Sequence, residues 1–227
     1  MSTQFNETNE NEQKNHVFDL LRGVTSRRGF LGRSVASAAV IVPAASMLVS
    51  QTVHASAKSA YHLSYSDAFQ EIKKDEDTHV SFLKSALGGA ARPKPSFKNL
   101  KQNDQSKFIE LSRAFENTGV GAYLLAAPAI SSKANLAAAG SILTIEARHA
   151  GYLDSITGNP LSPNGAFDKP IAQADIVKAV SPFIASLNGG RDPSATLRND
   201  IDILNFALLL EYLEAEFYDI NVPNFFG

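Results

Sequence analysis

The chain has 227 residues, 44% of them hydrophobic, and a formal net charge of −2. That length suits one domain plus a leader, and the slight acidity argues against nucleic acid as a partner. There is no cysteine, which excludes disulfides, thiolate metal sites and a lipid-modified cysteine.

Residues 1–25 are polar and carry no hydrophobic period. Ser26-Arg27-Arg28-Gly29-Phe30-Leu31 follows, then an apolar stretch from Val35 to Val49 and the small-residue end Ala55-Ser56-Ala57. A basic start, an apolar middle and an A-x-A close form an export signal. Arg27 and Arg28 followed by Phe-Leu resemble the twin-arginine class, with Gly32-Arg33 where Lys is usual. The competing reading is an uncleaved anchor, but the stretch is short of the ~20 apolar residues of a spanning helix and contains Pro43. Residues 1–57 are therefore expected to be a signal peptide with a polar extension. Residues 58–227 are expected to be the mature domain, periplasmic or extracellular, with no stable membrane span after cleavage.

Four segments of the mature chain carry a helical period. The first is predicted from about Tyr61 to Leu87, where Phe69, Ile72, Glu76, His79 and Leu83 form one stripe and Gly88-Gly89 stops it. The second is predicted from about Asp104 to Ala127, with Ile109, Ser112, Glu116, Gly119 and Tyr123 on a face. Gly119 and Gly121, each costing about 1 kcal/mol against Ala in a helix, point to close helix packing. The third runs from about Lys133 to Thr157, with Ala139, Ile142, Glu146, His149, Leu153 and Ile156 on its stripe. Residues 158–195 read as a linker holding a short helix around Ala172–Leu187. The last segment runs from about Ala195 to Ile220, with Asp192-Pro193 at its start and Leu204, Leu208, Glu211, Ala215 and Tyr218 on its stripe. No run has a strand period, so the expected fold class is all-α: a bundle of four long helices and one short one.

Each long helix places a Glu on the face that otherwise reads as core. Two of them belong to Glu-x-x-His runs, Glu76–His79 and Glu146–His149. Residues three apart lie one turn apart on one face, so both can reach a single metal ion. Isolated buried carboxylates are costly, and four that converge without cations repel. Two divalent ions balance four carboxylates and two neutral imidazoles, so charge favours a two-metal site built from Glu76, His79, Glu116, Glu146, His149 and a carboxylate of the last helix. There Glu211 fits the stripe best. Glu214, one turn on, is either an additional ligand or a mobile carboxylate, and Glu216 is rotated away. Tyr123 and Tyr218 each follow a proposed ligand Glu by seven residues. They either hydrogen-bond a ligand carboxylate and so tune the metal, or are core aromatics with a polar tip. Asp75 and Asp77 lie off the stripe and are expected to be solvated, Arg148 is expected to point outward or to pair with a carboxylate, and His62 is expected at the surface.

These residues resemble the ferritin-like superfamily, and within it the bacterial and plant ferritin-like domain group that includes desiccation-related proteins. Phe115-Glu116-Asn117-Thr118-Gly119-Val120-Gly121-Ala122-Tyr123 looks like that group's third-helix block, and Glu146-Ala147-Arg148-His149-Ala150-Gly151 like its fourth. Ile203-Leu204-Asn205-Phe206-Ala207 with Leu210-Glu211-Tyr212-Leu213-Glu214-Ala215-Glu216-Phe217-Tyr218 looks like its first. The resemblance implies Glu211 as the first-helix ligand, the pair Glu76 and His79 on the second helix, Glu116 on the third, and Glu146 with His149 on the fourth. It implies two iron or manganese ions as cofactor, with dioxygen or peroxide as reactant. Because the first-helix block comes last here, the chain looks circularly permuted, with its last two long helices parallel. The implied activity is iron oxidation or peroxide removal in stress protection. The alternative is a non-catalytic helical envelope protein of the desiccation-related type with a weak or vestigial site. An oligomer is left open, since nothing in the sequence specifies a cage interface.

Overall fold

The computed structural model describes residues 64–227. The leader, Arg27, Arg28, His54, His62 and the expected opening of the first helix at Tyr61 lie outside the described residues. Helix α1 spans Tyr65–Leu87. Its start is a reciprocal capping box: the Ser64 hydroxyl accepts from Asp67 N–H at 3.1 Å while Asp67 accepts from Ser64 N–H at 3.3 Å. Strand β1 is Ser96–Phe97. Helix α2 is Gln105–Ala126, capped by Asp104, and α3 is Lys133–Ile156, capped by Ser132. Helix α4 is Gln173–Val180, β2 is Ile184–Ser186, and α5 is Asp200–Phe226.

Three of these differ from the sequence reading. The short helix ends at Val180 rather than near Leu187, because Pro182 forces a 3-10 turn at Ser181–Phe183. The chain then extends and pairs antiparallel with β1, a ribbon too short to show a period. The last helix starts at Asp200 and not at Ala195, because the Asn199 side chain caps it by accepting from Asp202 N–H at 3.0 Å. It also continues past Ile220 to Phe226, with Pro223 inside its final turns.

The long helices form an all-α four-helix bundle. Helix α1 runs antiparallel to α5, as the Lys73–Asp219 pair at 2.5 Å and the stacked Phe69 and Phe226 rings require. Helix α2 runs antiparallel to α3, with Arg113 on Asp154 at 2.5 Å. Helices α3 and α5 run parallel: Asp200, at the start of α5, accepts from Ser131 N–H and Ser132 N–H at 2.8 and 3.0 Å, at the start of α3. Residues 157–199 therefore return along the length of the bundle. Gly121 serves this return segment. A Cβ there would collide with the Ile171 side chain, and Ile171 N–H bonds the Gly121 carbonyl at 3.1 Å, so the glycine admits the linker and not a neighbouring helix.

Helix α5 is buried on nearly all sides from Ile203 to Tyr218, as befits a helix apolar all round. Part of its cover is the strap of residues 88–104. Asn205 accepts from Arg92 N–H at 2.6 Å and donates to the Ala90 carbonyl at 2.9 Å. Sixteen residues on, Asn221 accepts from Gln102 N–H at 2.8 Å and donates to the Leu100 carbonyl at 3.0 Å. Two apolar blocks fill the bundle. One is built around Phe69, Phe108, Phe217 and Tyr218, and the other around Leu83, Tyr123, Ile142 and Leu208. Among the described residues no helix is long and apolar enough to cross a membrane.

Candidate metal centre

A polar layer lies between those two blocks. The stripes of α1, α2, α3 and α5 each turn inward, and they bring Glu76, His79, Glu116, Glu146, His149 and Glu211 together, all buried. Two four-residue groups have ligand atoms within 4.8 Å of one another: Glu76, His79, Glu146 and Glu211, and Glu76, Glu116, Glu146 and His149. Glu76 and Glu146 belong to both. His79 Nδ1 lies 3.2 Å from Glu146 Oε1, 3.2 Å from Glu211 Oε2 and 3.3 Å from Glu76 Oε2. His149 Nδ1 lies 3.2 Å from both Glu76 Oε1 and Glu116 Oε2.

The tyrosines face this layer by their hydroxyls, crosswise. Tyr218 on α5 donates to Oε1 of Glu116 on α2 at 2.6 Å, and Tyr123 on α2 donates to Oε1 of Glu211 on α5. Each bond occupies the outer oxygen and leaves Oε2 turned toward an imidazole. Asp75 corrects the sequence reading: it is not simply solvated, for its Oδ2 lies 3.3 Å from His149 Nε2. His79 Nε2 has no such carboxylate among the described residues. The clue to Asp75 was the rule that a ligating imidazole anchors its outer nitrogen on an acceptor. Asp75 lies one residue off the stripe of its own helix and reaches a histidine on another.

Glu214 is buried as well but lies outside both groups. Its Oε1 would be 3.5 Å from a Cβ at Gly119, and Glu146 Oε2 would be 2.6 Å from the same Cβ. Gly119 thus leaves room for carboxylates and not for a close helix crossing. Glu216 faces outward and pairs with Lys94 at 2.9 Å, while Arg148 is exposed.

The electrostatics of the layer suit a cation. Burial, then the charge of Glu116, raises Glu76 to about 7, although hydrogen bonds from His149 and His79 pull the other way. Burial and the neighbouring carboxylates push Glu146 and Glu214 well above the usual range. Burial lowers both imidazoles, but the surrounding carboxylates, Glu211 foremost for His79 and Glu116 for His149, outweigh it and hold both far above the ordinary value. Burial and the adjacent acids also raise Tyr123 and Tyr218. Without metal, the layer keeps protons where cations would sit.

The donor set fits hard or borderline cations. Glu76 Oε1, both oxygens of Glu146, and Glu211 Oε2 are buried without a well-aligned hydrogen bond. Three of them have only an imidazole nitrogen at 3.2 Å and Glu146 Oε2 has no polar contact among the described residues, and such atoms are rare unless an ion completes them. Oxygen and imidazole ligands in this proportion suit iron, manganese or zinc better than soft metals.

An antiparallel helical bundle with paired Glu-x-x-His motifs and single glutamates facing one internal point defines a class of carboxylate-histidine bundle proteins. A family model described as ferritin-like domain matches residues 29–159 and 199–225, and the chain belongs to that family. The match starts inside the segment read above as an export leader and omits most of the return linker. No curated protein and no solved structure matches the chain.

Proposed function

We propose that this is an exported protein with a dinuclear iron or manganese centre that oxidises iron or removes peroxide in stress protection. The observation that carries the reading is the set of four buried carboxylate oxygens, none with a well-aligned hydrogen bond, that converge on one another and on two imidazoles. Glu76 and Glu146 would be shared between two ions, His79 and Glu211 would complete one position, and Glu116 and His149 the other. When bound, such ions supply the electrons that reduce dioxygen or peroxide.

The chain's own groups set the conditions. Asp75 would accept the Nε2 proton of His149, so that when an ion displaces the other proton Nδ1 is the nitrogen left facing the centre. Tyr123 and Tyr218 fix the rotation of Glu211 and Glu116 and keep one oxygen of each inward. The apolar blocks above and below exclude water, so each charge in the layer counts for more. Glu214 stands beside Glu146 as a spare carboxylate, able to enter the shell or to take a proton.

The helix order supports a circular permutation within the family. Helix α5 pairs antiparallel with α1 as α2 does with α3, so counting α5 first gives two consecutive hairpins. The twin-arginine residues Arg27 and Arg28 support export in folded form to the periplasm or beyond.

The test is elemental analysis of the purified mature chain. About two iron or manganese ions per chain are expected. Replacing His79 and His149 together by Ala should abolish uptake while the far-ultraviolet circular dichroism is kept. No bound metal after anaerobic reconstitution with ferrous or manganous salt would favour the non-catalytic envelope protein instead.

A further inference from the structure

A second charged site lies about 9 Å along α5 from Glu211, six residues toward its start. Arg92 is only 6% exposed. Its Nη1 and Nη2 donate to the main-chain carbonyls of Asn205 and Arg191 at 3.4 and 3.2 Å. No carboxylate lies within ion-pair distance of it among the described residues, and its Nε is buried without a partner. Guanidinium does not give up its proton in a protein, so a full positive charge is held inside with only carbonyl dipoles against it. An unpaired buried charge is among the most costly groups a fold can carry.

Arg191 repeats the pattern. Its Nη1 lies 3.3 Å from Asp202 Oδ1, its Nη2 bonds the Thr196 carbonyl at 2.5 Å, and its Nε is again buried without a partner. Both arginines line one small, partly open cavity with apolar Leu197 and Phe206, and its inner volume is about 10 Å3, room for a single particle of roughly water size. Two acidic groups also face it. Asp202 is engaged by Arg191 and by Arg198 N–H at 3.1 Å, and Asp192 is turned to the Ser194 N–H and hydroxyl at 2.8 and 2.7 Å. Neither neutralises Arg92. Gly190 keeps the place open. Its φ is not positive, but a Cβ would come within 3.0 Å of both Arg92 Nη2 and the Leu187 carbonyl oxygen and 3.4 Å of Arg92 Nε, so glycine here serves the local turn as well as the guanidinium.

We propose that Arg92 and Arg191 bind a single-atom monovalent anion, chloride in size, through their two free Nε–H groups. A water molecule offers an acceptor but no charge, and two single N–H donors match one atom better than the several oxygens of a phosphate or sulfate. The anion ties the strap after α1 and the loop before α5 to the first turns of α5, and so seats the helix that carries Glu211. The site shares no residue with the carboxylate layer, so it stands or falls independently of the metal reading.

The test uses the full chain at fixed ionic strength, with chloride replaced stepwise by gluconate. Thermal unfolding should shift upward by several degrees with chloride and saturate, and the 35Cl resonance should broaden in proportion to protein. Arg92→Met should remove both effects. Arg191→Gln leaves the Arg92–Asn205 contacts intact and serves where Arg92→Met does not fold; it should weaken chloride binding about tenfold by removing one charge-assisted donor. The same dependence should appear in chelator-treated and metal-loaded protein. Equal unfolding temperatures in chloride and gluconate, with no excess broadening, would mean that the cavity holds only water and would overturn the proposal.

Discussion

Replacing Gly119 by Ala separates the stability of the bundle from the integrity of its polar layer. The position is interior to α2, where Ala is favoured over Gly by about 1 kcal/mol. The new Cβ would lie 2.6 Å from Glu146 Oε2 and 3.5 Å from Glu214 Oε1. An ordinary contact needs about 3.4 Å, so the Glu146 oxygen must retreat by roughly 0.8 Å. Glu146 is the end of a flexible side chain, and it yields before the backbone does. Metal ligands must be held within about 0.5 Å of their working positions, so the variant should keep its fold and, if Glu146 is the shared ligand proposed above, bind metal poorly. Urea unfolding of the metal-free protein should give a stability equal to wild type or higher by up to about 1 kcal/mol. Equilibrium dialysis against manganous or ferrous ion should show affinity reduced by about 10- to 100-fold. Full metal content in Gly119→Ala would refute the geometry. So would a stability loss beyond about 2 kcal/mol, which would mean that the backbone moves instead of the carboxylate.

Metal-free protein should become less stable as pH rises. Glu76 is raised from 4.5 to about 7 in the fold, so its contribution is complete below pH 4.5 and is lost as pH climbs to about 7, at about 3 kcal/mol over that window. The raised imidazoles act in the same direction above their unfolded value of 6.5. Metal loading should flatten the profile, and thermal melts from pH 4.5 to 8 read both. Asp75→Asn should weaken one of two bound ions by about 10- to 100-fold and spare the other, visible as the loss of one step in a calorimetric titration; equal weakening of both steps would count against the assignment. Tyr218→Phe leaves Glu116 Oε1 without its donor and should cost the metal-free protein about 1–3 kcal/mol, measured by urea unfolding.

The bundle was legible because its long helices each carry a stripe of core residues at steps of three and four, and the carboxylates and histidines interrupt those stripes instead of lying beside them. Asp75 was not, since periodicity describes one helix at a time and this side chain serves a histidine on another. Asp192-Pro193 suggested a helix start, but the Asn199 cap decides it, and the intervening residues bend back over the Arg92 cavity. Pro223 did not stop α5, because a proline removes one hydrogen bond there and the burial of Val222 outlasts that loss. The two-residue strand has no period to detect. Gly121 announced a close approach, but the partner was Ile171, from a linker whose path no local pattern encodes. Glu211 and Glu214 differ in rotation, which the stripe only suggested: both are buried one turn apart, and Glu211 alone faces His79.

The strap pinned by Asn205 and Asn221 leaves α5 almost without a free side between Ile203 and Tyr218, Glu216 being the exception. On an ordinary amphipathic helix roughly half the positions accept almost any residue, because solvent does not discriminate among polar side chains. On α5 the outward positions answer to the strap and the inward ones to the bundle. A saturation mutagenesis map should therefore show this segment as a nearly unbroken intolerant block, while the outer face of α3, at Thr144, Ala147 and Arg148, accepts replacement freely.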